Sequence, residues 1–191
     1  MISYLLAGPA EEPVSLVETK AFLRLDSDAE DALVTTLIAA ARLHVEGATG
    51  RALVRQSWRA VLDAWPAERV VRLPVAPLLE LTEIRVFDEQ DDEHVIGLGQ
   101  FQAETGVAPA RLLLPGTVVG MPGLRERLGI EIDYVAGFGE AVDVPRDLKQ
   151  ALLALVAHWF EHRDAVIVAG SGAVVPAGFD RLVAGYRQVR L

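Results

Sequence analysis

The chain has 191 residues, a formal net charge of −9 and no cysteine. The missing cysteines exclude disulfides, thiolate zinc sites and thiol nucleophiles together, and suit assembly in a reducing cytoplasm. The acidic balance disfavours a protein that grips phosphate backbones, because that affinity comes from Lys and Arg displacing counterions. Hydrophobic residues at 51% and charged residues at 24% describe a globular chain, one domain or one domain with a large insertion.

Met1 to Leu6 is too short an apolar run for a secretory leader and ends at Gly8 and Pro9, so none is expected. No stretch reaches the roughly 18 apolar residues of a membrane span. From Pro13 to Leu53 the pattern is helical. Ser15 and Glu18 form a capping-box pair, predicting a short helix that ends near Leu25. Ser27 or Asp28 is placed to cap a second helix, whose apolar face carries Val34, Leu37, Ile38, Ala41 and Val45. Gly47 and Gly50 suit its end.

From about Gln56 to Ala136 the pattern turns to β. Thr82, Ile84 and Val86 alternate with polar neighbours, as do Ile130, Ile132 and Tyr134, which is the period of a half-buried strand. Shorter strands are expected at 58–62, 70–73, 94–96, 101–103 and 111–114, punctuated by prolines and glycines. The acidic run Asp88–Glu93 reads as a solvated hairpin tip. Pro145 opens a further helix with a stripe of Leu148, Leu152, Leu155, Val156 and Trp159. These residues are expected to pack on Leu37, Ile38 and Ala41. Residues 166–176 read as an apolar, glycine-containing loop, followed by a short helix near 179–184.

The order helix, strand, helix predicts an α+β chain whose flanking helices pack as a helical bundle, with a β-rich lobe inserted. The expected parts are 1–55 (N-terminal helical part), 56–137 (β-rich lobe) and 138–191 (C-terminal helical part and tail).

One string has catalytic form. His158, Glu161 and His162 match H-x-x-E-H, in which two histidines one helical turn apart bind zinc and the glutamate activates water. A zinc-dependent hydrolase on these residues is the alternative reading. It wants a third ligand downstream, and only Asp164 and Asp180 follow. His44 and His94 lie upstream, in the wrong order. The plain reading is a structural helix end. The stretch Ala169–Ala173 lacks the Gly-Lys-Ser/Thr ending of a phosphate loop. Trp58, Trp65 and Trp159 have no basic groove beside them and read as core. No cofactor is expected.

The tail from Gly185 is basic on an acidic chain. Tyr186, Arg187, Arg190 and Leu191 are of the types that anchor interfaces, and an acidic partner would suit them. A frayed end without a role is the alternative.

Several segments, in order, resemble the head–tail connector (adaptor) proteins of tailed phages. They are Val14–Glu18 with Ala21–Leu25, Glu30–Leu33 through Leu37–Ala41, Val45-Glu46 and Thr49–Leu53. After the β region come Ile132–Gly139, Val144-Pro145, Leu148–Ala151 and Leu155–Arg163. The same segments are similar to the adaptor of bacterial gene transfer agents, which are phage-derived particles. The resemblance implies a structural subunit, not an enzyme. It implies a ring of about twelve copies in the head–tail neck, made in the bacterial cytoplasm. Its partners would be the portal on one side and a stopper or tail-completion protein on the other, with no membrane. DNA would pass through the lumen without specific binding. The tail residues Tyr186, Arg187, Arg190 and Leu191 would dock on the portal.

Overall fold

A computed structural model describes residues 1–162 and 175–187. The chain divides into two compact units. The first unit is made by Met1–Ala10 and Arg55–Gly139, the second by Glu11–Val54 and the described part of Glu140–Leu191.

The first unit holds two antiparallel sheets. The larger has the order β1-β2-β8-β4-β5, from β1 (Ile2–Ala7), β2 (Gln56–Leu62), β4 (Leu78–Phe87), β5 (Glu93–Val95) and β8 (Ile130–Ala136). The smaller has the order β3-β7-β6, from β3 (Val70–Leu73), β6 (Gln102–Glu104) and β7 (Ala110–Leu113). In the larger sheet Ala60, Ile132 and Ile84 lie opposite one another across three strands. All three are fully buried, as are Ile130 and Tyr134 on the same face of β8. The alternate residues Arg59, Glu131, Asp133 and Arg85 fall on the other face, because side chains on a strand change sides at every step. Leu73 and Leu112 are the buried anchors of the smaller sheet.

The second unit is helical. Helix α1 (Leu16–Leu23) starts at Ser15, whose Oγ accepts from the Glu18 amide at 3.1 Å. That bond satisfies one of the amides left open in a first turn. Helix α2 (Asp31–Thr49) begins at Glu30 without a side-chain cap and stops at Gly50, which takes the left-handed conformation with φ 68°. Asp28 is not the cap expected of it. It pairs instead with Lys20 at 2.6 Å, and Asp31 meets the same ammonium at 2.7 Å. Helix α3 (Arg146–Glu161) follows Pro145, and α4 (Phe179–Val183) runs into a single 3-10 turn, Ala184–Tyr186. α2 and α3 pack together. Val34, Ile38, Ala41 and Val45 of α2 are buried, as are Leu148, Leu152, Leu155 and Val156 of α3. Arg42, almost fully buried, donates to Glu12 and Glu46 at 2.8 and 2.9 Å and so ties the segment before α1 to α2.

The expected helical bundle is not there. Only α2 and α3 are long, at 19 and 16 residues, while α1 has 8 and α4 has 5. One long helix pair with two short covers cannot enclose the core of a four-helix bundle. The chain is mixed α+β, with eight strands in two sheets. Its N-terminus, read as featureless, is an edge strand: β1 pairs with β2 from Ile2↔Val61 to Ala7↔Ser57. Among the described residues no helix is long and apolar enough to cross a membrane.

Candidate interaction surfaces

Four features carry chemistry or exposed surface. The first is the H-x-x-E-H string at the end of α3. His158 and His162 stack with ring centroids 4.6 Å apart, and His162 Nδ1 lies 3.0 Å from the His158 carbonyl oxygen. A ring stacked on its neighbour and turned to the helix backbone is arranged as a helix end, not as a ligand pair. His44 packs its ring against Trp159 and Phe179, at 5.7 and 5.4 Å, and burial lowers its pKa, so it sits there as a neutral aromatic. His94 belongs to the other unit and holds Asp88 at 2.7 Å. The hydrogen bond from His94 pulls the Asp88 carboxyl below its ordinary pKa, helped by the Gln90 and Asp92 amides. Among the described residues no three His, Asp or Glu side chains converge to hold a metal. Asp164 and the segment 166–174 lie outside the described residues. The purified chain is therefore expected to carry no stoichiometric zinc and to show no hydrolase activity, with His162→Ala leaving both unchanged. One tightly bound zinc per chain, found by elemental analysis, would overturn this.

The second feature is the C-terminal turn. Tyr186 is half-buried and held twice. Its hydroxyl donates to Asp147 at 2.9 Å, and Arg51 Nε donates to its carbonyl oxygen at 2.8 Å. The Arg51 guanidinium also lies 5.7 Å from the Tyr186 ring centroid, within cation–π reach. Burial, with the Asp147 hydrogen bond, raises the Tyr186 pKa. Arg187 is exposed and pairs with Asp180. The structure thus gathers Tyr186 and Arg187 against acidic residues of their own unit. Arg190 and Leu191 lie outside the described residues. Sequence reading missed Arg51 and Asp147 as the holders of Tyr186. They are 135 and 39 residues away in the chain, and no local pattern links them.

The third feature is a charge ladder on the outer face of the larger sheet. Arg59 grips Asp133 through two bonds, at 2.6 and 2.7 Å, and reaches Glu131 at 2.8 Å. Arg85 meets Glu131 at 3.0 Å and Asp133 at 3.2 Å, with Glu83 and Glu93 on its flanks. These four central side chains are only 13–18% exposed. Burial works against the charge on Arg59, but hydrogen bonds from Asp133 and Tyr4 outweigh it and raise its pKa. Both arginines are fully engaged with carboxylates and cannot serve as phosphate clamps.

The fourth feature is β1 itself. It is an edge strand, and its residues Ile2, Tyr4, Leu5 and Leu6 are 59%, 43%, 46% and 44% exposed. Sequence reading missed it. The signal was present as a first ten residues without one charge.

Comparison with known proteins bears on all four features. Residues 13–172 match the family described as head completion protein. Among solved structures, the chain is similar to a subunit in the neck of an empty gene transfer agent particle computed with C6 symmetry. The identity is 28% and the TM-score 0.82, over 100% of this chain and 97% of that one. It is also similar to a chain in the virion of a native gene transfer agent particle, at 25% identity and TM-score 0.80 with the same coverage. A third similar chain is in the neck of a native particle computed with C12 symmetry, at 27% identity and TM-score 0.76, again over 100% and 97% of the two chains. Among curated protein sequences, none matches significantly.

Proposed function

The chain belongs to the head completion protein family, and from that premise we infer that it is a head–tail connector subunit in the neck of a phage-like particle. The observation that carries this is the full-length likeness to neck chains of gene transfer agent particles, at up to 28% identity and TM-score 0.82. A likeness covering both units, rather than one, ties the whole chain to that setting.

In this reading the subunit works as a structural ring, with the cyclic symmetry of the C12 neck. It sits between the portal and a stopper or tail-completion protein. It has no catalytic step. DNA passes through the lumen without being held. A net charge of −9 supports that, and so does the engagement of Arg59 and Arg85 with carboxylates, because an acidic wall repels the phosphates it surrounds. The tail would dock on the portal through Arg187, Arg190 and Leu191, with Tyr186 fixing where the tail leaves its own subunit.

The test is genetic. Particles assembled without this chain should have filled heads and no attached tails, and the wild-type chain supplied in trans should restore tails and place a ring in the neck. Tailed particles at normal yield without the chain would refute the reading.

A further inference from the structure

The two edges of the larger sheet are built differently. β5 has three residues, one of them Glu93, and follows the acidic turn 88–92. Short, charged edges resist the addition of another strand. β1 has none of these guards. It is six residues long, no Asp, Glu, Lys or Arg occurs in residues 1–10, and no proline occurs before Pro9. Its register places Ile2 and Tyr4 on the outer face opposite Val61 and Arg59, and Leu5 on the other face opposite Trp58. Exposed apolar side chains therefore stand on both faces of a strand whose outer edge, among the described residues, pairs with nothing. Left open in water, such an edge is a template for aggregation.

We propose that β1 is one half of the contact between adjacent copies in the connector ring, with a second copy of this chain covering its open edge. The proposal rests on the connector reading. Charge points to a second copy as the occupant. Identical chains at −9 repel one another, so two copies approach best through a segment that carries no charge. A basic foreign partner would be drawn to the acidic surface instead. Permanent contacts between copies are also apolar, like a core cut in half. Symmetry adds a constraint. Pairing β1 with β1 would run about a two-fold axis and close a dimer, whereas a cyclic ring needs two unlike patches on each copy. The surface covering β1 is therefore a different part of the neighbouring copy.

The experiment uses the full chain with its portal-bearing heads. Ile2→Lys combined with Leu6→Lys charges the strand at two exposed positions, and Ile2→Val combined with Leu6→Met keeps it apolar. The lysine pair should melt with the wild type yet lower the yield of ring-bearing necks about tenfold or more, since burying charges there costs over one decade in association. The apolar pair should assemble as the wild type does. Independently of any variant, the β1 amides of the wild-type chain should exchange hydrogen much more slowly in assembled necks than in the free subunit. Three results would overturn the proposal: wild-type ring yield from the lysine pair, equally fast β1 exchange in necks and free subunit, or a two-fold dimer joined through β1. If the wild-type chain itself forms no ring in the neck, the connector reading fails as well, and that arm separates the two failures.

Discussion

Leu155→Ala is expected to lower the stability of the chain by about 2–5 kcal/mol, the cost of emptying a leucine site in a packed core. Leu155 has no exposed surface and stands on α3 between Leu152 and Trp159, on the side that packs against α2. The loss has two parts. The methyl groups forfeit their removal from water, and the cavity persists because two long helices cannot close on it without shifting Leu37 and Ile38. Urea unfolding followed by helical circular dichroism checks it. A loss under about 0.5 kcal/mol would mean that the side chain does not hold α2 and α3 together. A ring subunit must present this helix pair in one fixed arrangement, so the same variant should reduce neck assembly in step with its loss of stability.

Removal of residues 188–191 should leave the melting temperature of the subunit unchanged and abolish its attachment to portal-bearing heads, giving filled heads without tails. Removal of 185–191 should do both harms. It also takes away Tyr186, whose hydroxyl meets Asp147 and whose carbonyl receives Arg51. Two hydrogen bonds that join the chain end to α3 and to the end of α2 contribute about 1–3 kcal/mol together. Comparing the two truncations separates docking from folding, which a single longer deletion would confound. Normal yields of tailed particles from the 188–191 deletion would place portal contact elsewhere on the subunit. Tyr186→Phe is the milder probe. It keeps the ring beside Arg51 and removes only the bond to Asp147, so it should cost less stability than the longer truncation.

Much of the chain was legible before the structure, wherever a local rule sufficed. Ser15 caps α1, Gly50 ends α2 and Pro145 precedes α3, each through backbone chemistry confined to a few residues. β3 lies at 70–73, as its apolar pattern predicts, and β8 alternates buried Ile130, Ile132 and Tyr134 with charged neighbours. The family resemblance was carried by the order and spacing of such segments, and the match over residues 13–172 shows the same family.

By itself, then, the sequence determined the identity of most elements, the acidic, cysteine-free surface and the family, because each follows from composition or from neighbours within one or two turns. Only the tertiary structure decided which elements share a unit. It moved residues 1–10 from the expected helical part to the sheet, reduced the expected bundle to one long helix pair, and divided the β region into two sheets. It also paired Arg59 with Asp133 across 74 residues and Arg51 with Tyr186 across 135. The reason is physical. Strand pairing and charge pairing are made between segments far apart in the chain, and the stabilisation comes from the partner, which local pattern does not encode. β1 shows this most plainly: with both faces exposed it has no alternation to betray it, and it is a strand because β2 is there to receive its hydrogen bonds.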